Sequence, residues 1–333
     1  MTRAPLAAVT GAEGFIGSHL TEALVASGHR VRAMAQYNSF SSYGWLETLP
    51  QDVLEQVEIV LGDVRDPGSV RGLAEGADCV YHLAALIAIP YSYRAPHSYV
   101  DTNVTGTLNV LEAVRALDVP RLVHTSTSET YGTAQTVPIT EDHPIHTQSP
   151  YAASKAGGDR LADSYHASFG TPVVTLRPFN TYGPRQSMRA VIPTVIGQLA
   201  AGEHAITLGD LRPTRDFTFV KDTAAAFLAV GTAPAADVVG RTFNAGTGGE
   251  ISVGDLVALI GKVMGTDVEV REDTARLRPA NSEVMRLVAD ASRLRAATGW
   301  EPAHDLEQGL AATADFFRDP AHLARYKTGI YNI

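Results

Sequence analysis

One rhythm constrains the fold more than any other feature. Apolar runs of strand length alternate with amphipathic helical stretches through the first half of the chain. Strands are expected over 5–11, 30–36, 57–64, 79–85, in "RLVHTST" and over 172–178. Between them, helices are expected over 15–28, in "SVRGLAEG", over 98–117 and over 151–170. Strands separated by helices of this length imply a parallel sheet covered on both faces, an α/β class. After about residue 180 the pattern loosens into loops such as "NTYGPRQS" and "GDLRPTRD". A helix over 222–231, a strand in "TFNAG" and a helix in "SVGDLVALIGKVMG" follow.

The first strand runs into "TGAEGFIGSH", which sets Gly11, Gly14 and Gly17 between strand and helix. Glycines there let the backbone turn tightly and approach a pyrophosphate at the helix N-terminus. The alternative, a plain strand–helix turn, is less consistent with a triplet in this context. The fold expected is therefore a Rossmann-type doubly wound parallel sheet over 1–178, with 216–247 returning to it. A smaller C-terminal substrate lobe over 179–333 would leave a crevice between the two. The end of the second strand reads "RAMAQYNSF": Ala35, Gln36, Tyr37 and Asn38 carry no acid for the adenosine ribose, and no arginine for a 2′-phosphate. Gln36 or Asn38 could serve NAD, and NADP stays open. Asp63 in "LGDV" is placed to reach the adenine, unless it caps the following helix instead.

The stretch "HTSTSETYG" (124–132) ends a strand in a crowd of hydroxyls around one carboxylate, Glu129. Serine and threonine can simply close a turn there. Strand ends of open α/β sheets are also where ligands bind, which favours a catalytic edge. Downstream, "YAASK" sets Tyr151 and Lys155 four residues apart on one helix face. A phenol is a poor base at neutral pH, and a nearby ammonium would favour its ionised form.

Taken together, these motifs resemble the extended short-chain dehydrogenases/reductases, in the NAD-dependent nucleotide-sugar epimerase/dehydratase branch. Matching pieces run from "VTGAEGFIGSH" through "YHLAA", "DTNVTGTLNVLEA", "STSETYG", "SPYAASK", "LRPFNTYGPRQ" and "RDFTFVKD" to "RLRPANSEV". The resemblance implies that Phe15, Ile16, Val64, Leu83, Ala84, Ala85 and Asn103 join the glycines, Gln36, Asn38, Asp63, Tyr151 and Lys155 around the cofactor. It also implies a homodimer built from the helices over 98–117 and 151–170. Thr127, Ser128 and Glu129 match the Thr-Ser-Glu triplet of GDP-mannose 4,6-dehydratases. "AQYNSFSSYGWLE", "RPFNTYGPRQS" and "GIYNI" resemble N-acetylhexosamine 4,6-dehydratases of legionaminic-acid type. Serine at 128 departs from the dTDP-glucose type, which carries aspartate there.

The chemistry implied is oxidation at C4, loss of water across C5 and C6, and return of hydride to C6, giving a 4-keto-6-deoxy sugar. Tyr151 would take the C4 hydroxyl proton, with Thr127 beside it. Glu129 would remove the C5 proton, and Glu129 or Ser128 would protonate the leaving hydroxyl. Asn180, Arg185, Arg215 and Arg278 are the candidates for the nucleotide diphosphate of a substrate such as UDP-GlcNAc, since arginine's planar fork suits paired phosphate oxygens. A 4-epimerase, a 5,6-dehydratase and a non-catalytic NAD(P)-sensing protein are the competing readings.

Composition narrows the partners. There are 36 acidic against 27 basic residues and no basic run, so nucleic acid is not expected. Cys79 is the sole cysteine and sits in an apolar strand, so it reads as core. The pair His143 and His146 has no third ligand near in sequence, and no metal is expected. No apolar run is long enough to span a membrane and no leader pattern opens the chain, so a cytoplasmic location is expected.

Overall fold

The computed structural model describes residues 3–273, 276, 279–330 and 332. Seven strands form the main sheet: β1 (Leu6–Thr10), β2 (Arg30–Gln36), β3 (Val57–Gly62), β4 (Cys79–His82), β5 (Leu122–Thr125), β6 (Val173–Pro178) and β7 (Thr242–Ala245). All neighbours run parallel in the order β7-β6-β5-β4-β1-β2-β3. The order reverses at β1, which lies between β2 and β4, and a crevice opens at such a switch point.

Side chains alternate across a strand, and here the alternation feeds two cores. Ala7 and Val9, Val31 and Ala33, and Cys79 and Tyr81 face one core, with Leu20 and Leu24 of α1 (Phe15–Ala26). Ala8, Met34 and Val80 face the other, with Val70 and Leu73 of α2 (Pro67–Ala74). Burial pushes the Cys79 thiol up to about 12, in keeping with an inert core residue.

The expected helix over 98–117 forms with a break. It begins earlier, as α3 (Pro96–Val100), passes through a π turn (Asp101–Thr105) and continues as α4 (Gly106–Ala116). A π turn inserts one residue into the helical ladder and often marks a functional site. Here it carries Asn103 inward: its Oδ1 accepts the Leu86 N–H, and its Nδ2 donates to Leu86 O and Ser154 Oγ, each at 2.9 Å.

Helix α5 (Pro150–Phe169) starts where the sequence says it must. Ser149 caps it by accepting the Ala152 N–H, Pro150 opens the first turn, and Gly170 closes it in the left-handed region at φ +69°. The smaller lobe packs α6 (Val191–Ala200), α8 (Val253–Met264) and α9 (Leu306–Arg318) around Ile196, Leu256, Leu310 and Phe317. Between α6 and α8, α7 (Val220–Thr232) returns to the main sheet, placing Ala224, Phe227 and Val230 in the core beneath α1. Phe15 and Ile16, at the start of α1, also pack against the lobe's core, so the two halves meet at the glycine loop. No helix among the described residues is long and apolar enough to cross a membrane.

Candidate active site

The carboxyl ends of β1 to β6 open into one cavity of about 1140 Å³, walled on its far side by the lobe. That exceeds the roughly 300–1,000 Å³ of an ordinary small-molecule pocket. Gly11, Gly14, Phe15, Ile16 and Gly17 line one end. Gly11 sits at φ +67°, and a Cβ there would lie 2.8 Å from the Ala84 backbone nitrogen. A Cβ on Gly17 would come within 2.1 Å of Gly11 O. Gly14 is the N-cap of α1 and offers no side-chain cap, so the first N–H groups of the helix are left for a ligand anion. These features fit a dinucleotide pyrophosphate. Across the turn, Thr10 Oγ1 holds the Leu83 and Ala84 N–H groups at 3.1 Å, and Leu83, Ala84 and Ala85 line the cavity.

Strand β3 stops at Gly62, leaving Asp63 and Val64 beyond the sheet edge in the cavity wall. Asp63 does not cap α2. Asp66 does, accepting from Gly68 and Ser69, while Asp63 pairs with Arg65 at 2.6 Å, which holds its carboxyl low. Gln36 lines the cavity. Asn38 is not among its lining residues, because it is used up in its own loop. Its Nδ2 donates to Gln36 O and Ser42 O, and its Oδ1 accepts from Phe40 and Ser42. Asn103 likewise stands behind the wall, bracing Leu86, which does line the cavity.

The hydroxyl crowd after β5 divides in two. Ser126 borders the cavity but turns its hydroxyl inward, donating to Asp159 Oδ2 at 2.6 Å, and Thr130 donates to Thr127 O at 2.8 Å. Thr127, Ser128 and Glu129 face the cavity. Thr127 is the N-cap of a short 3-10 turn (Ser128–Tyr131), accepting the Glu129 N–H at 3.3 Å. The same hydroxyl lies near the Tyr151 phenol and favours its ionised form. The turn reading and the catalytic reading therefore both hold, for different residues of one stretch.

Tyr151 and Lys155 are buried, 8% and 3% exposed, and both line the cavity. Burial pushes the Tyr151 phenol up and the Glu129 charge adds to the rise, while the nearby Thr127 hydroxyl opposes it. In the protein alone the phenol is raised rather than lowered, because desolvation of the phenolate is the largest effect. Burial also lowers the Lys155 ammonium to about 8, against the pull of Asp159 one turn further along α5. Asp159 was not anticipated. It anchors a buried network in which His124 Nε2 lies 3.0 Å from Oδ1, and Ser126 and Arg177 donate to Oδ2. Arg177 in turn donates to Tyr131 OH at 3.0 Å. The acid four residues after Lys155 was the available signal, but its partners lie on other strands.

At the lobe end, Asn180 lines the cavity, and its Oδ1 is buried with no hydrogen-bond partner among the described residues. Arg215 lines it too, with Nη1 on Thr214 O and Nη2 3.2 Å from Glu283 Oε1. Arg185, at φ +71°, borders the cavity while its guanidinium is held by Glu22 at 2.7 and 3.2 Å and by Ser18 at 3.3 Å. Arg278 lies outside the described residues. Sequence reasoning missed Arg189, Arg276 and Arg325, which also border the cavity, and Glu13 of the glycine loop. Arg325 is brought there by the stacking of its guanidinium on Trp45, 5.5 Å from the ring centre, a long-range contact with no local signature.

A family model described as GDP-mannose 4,6 dehydratase matches residues 8–313. The chain is 36% identical over 332 residues to a dTDP-glucose 4,6-dehydratase of Xanthomonas campestris, covering 93% of this chain and 92% of that one. It is 35% identical over 317 residues to a UDP-glucose 4-epimerase of Mycolicibacterium smegmatis, covering 93% and 98%. Among solved structures, a double mutant of the dTDP-glucose 4,6-dehydratase DesIV from Streptomyces venezuelae, with NAD bound, superposes with a TM-score of 0.86 at 28% identity, covering 98% of this chain and 99% of that one.

Proposed function

Because the chain belongs to the GDP-mannose 4,6-dehydratase family, within the extended short-chain dehydrogenases/reductases, we propose that it is an NAD-dependent nucleotide-sugar 4,6-dehydratase. One observation carries this beyond the family. Glu129 is held on the same short turn as Thr127, and both line one cavity with Tyr151, whose phenol feels the Glu129 charge, so a second base, a carboxylate, stands beside the tyrosine. Epimerisation at C4 needs a proton shuttle at one oxygen only. Dehydration needs in addition a base for the C5 proton.

NAD fits the glycine loop, Leu83–Ala85 and the Asp63–Val64 edge, and when bound it would accept and later return the hydride. The protein supplies the proton chemistry. Tyr151 takes the C4 hydroxyl proton while Thr127 holds that oxygen. Glu129 removes the C5 proton, which the C4 ketone has made acidic; that proton leaves with the C6 hydroxyl as water, directly or relayed through Ser128, and a proton equivalent to the one Tyr151 took returns to C5 as hydride reaches C6. Lys155, one turn along the same helix and buried in the same wall, is the cation proposed to favour the tyrosinate. Asn180 and Arg215 are the proposed diphosphate ligands, with Arg185 and Arg276 at the same rim. The substrate proposed is a nucleoside-diphosphate N-acetylhexosamine such as UDP-GlcNAc.

The test is product mass. Incubation with UDP-GlcNAc, GDP-GlcNAc, GDP-mannose, UDP-glucose and UDP-glucuronate in turn should give, from one of them, a product lighter by one water. A product of unchanged mass, inverted at C4, would instead establish an epimerase.

A further inference from the structure

The end of β2 carries no acid in sequence, yet a carboxylate stands there in space. It comes from Glu13, inside the glycine loop. Its Oε1 accepts the Gln36 N–H at 3.1 Å, and its carbonyl accepts the Trp45 N–H at 3.0 Å. Both ends of the residue are therefore pinned to the segment that follows β2. The second carboxylate oxygen, Oε2, is buried with no hydrogen-bond partner among the described residues, and the residue lines the cavity. Burial pushes this carboxyl up, as a desolvated acid short of donors requires.

A buried carboxylate oxygen is unfavourable until a donor reaches it. The vicinal hydroxyls of a ribose are neutral donors of the right kind, whereas a phosphate is an anion without them at neutral pH. The side chain that sequence reasoning offered for this task, Asn38, is turned into its own loop by four hydrogen bonds. Resting on the reading of this cavity as a nicotinamide dinucleotide site, we infer that Glu13 selects the cofactor: it accepts a hydrogen bond from the 2′-hydroxyl of the adenosine ribose and repels a 2′-phosphate. The acid customary at the end of the second strand is supplied here by the first loop.

Equilibrium binding of NAD, NADP and 2′-deoxy-NAD to the full chain tests this, in wild type and in Glu13→Gln. The glutamine keeps an oxygen for the Gln36 N–H and removes the charge. Wild type should bind 2′-deoxy-NAD at least about 10-fold more weakly than NAD, the scale of a hydrogen bond to a charged group. Its preference for NAD over NADP should shrink by about 10-fold or more in Glu13→Gln. A variant that weakens both dinucleotides equally would reduce Glu13 to a clamp on the loop and overturn the inference. So would wild type binding NAD and 2′-deoxy-NAD alike, a result that needs no variant. Wild type binding neither dinucleotide would overturn the reading of the cavity, and this inference with it.

Discussion

Two residues of one short stretch separate chemistry from architecture. Ser126 is bound inward to Asp159 and Glu129 faces the cavity, although the sequence presents them in a single polar run. If Glu129 is the C5 base, Glu129→Gln should still oxidise C4, because Tyr151 and Lys155 are untouched. Reduced nicotinamide should then accumulate on the enzyme while water loss falls by at least about 100-fold. Tyr151→Phe should show no reduced nicotinamide at all. Dehydration by Glu129→Gln at near wild-type rate would return Glu129 to a turn residue. The core of this site was legible because its parts are short-range: a glycine triplet, a Thr-Ser-Glu turn and a Tyr-x-x-x-Lys helix face. Glu13 was not, since what gives it meaning is the Gln36 N–H at the end of another strand. Asn38 misled for the opposite reason, a polar side chain in the right place that its own loop consumes.

At the scale of the element, α5 carries three working positions at four-residue steps, Tyr151, Lys155 and Asp159, of which only the first two border the cavity. Asp159 is 2% exposed and faces Arg177, itself 5% exposed. Asp159→Asn should cost about 3–5 kcal/mol of unfolding free energy, because it strands a buried guanidinium. Urea denaturation measures this, and a cost below about 1 kcal/mol would show that the network relaxes around the change. Helix existence followed from the apolar period. The π turn did not. One extra residue shifts the ladder without erasing the apolar face, so the stretch 98–117 reads as one helix in sequence while Asp101–Thr105 breaks it in space. Strand order, too, is a property of pairing that no single strand encodes.

For the whole molecule, buried histidines set the response to acid. His19 of α1, 6% exposed, lies 3.0 Å from Pro184 O at the seam between sheet and lobe. Burial lowers it to about 4, with the Arg185 charge acting in the same direction. His82 and His124 are lowered as well, chiefly by burial. A base whose folded pKa is depressed gives stability that is complete above the unfolded value, near 6.5, and lost as pH falls from there towards about 4. Carboxyls raised by burial, Glu13, Glu141 and Asp216, act in the other direction. The difference between proteins is therefore the test. Melting temperature should drop between about pH 7 and about pH 5, and drop less in His19→Asn. Equal slopes in the two proteins would remove His19 from the account.

The close approach of Gly11 to Ala84 also bears on which sequences can carry this site. A Cβ at position 11 would strike backbone, and a backbone atom stays put whatever residue is chosen at 84. No companion substitution reopens that position, so descent and directed evolution alike meet a dead end there. Gly106, at the start of α4, is different in kind. The one tight contact of a Cβ there would be Val64 Cγ2 at 2.9 Å, and trimming Val64 to alanine removes it, leaving ordinary contacts at 3.4 and 3.7 Å. Of these two glycines, one is a fixed point for any lineage, and the other is half of a pair that can drift together.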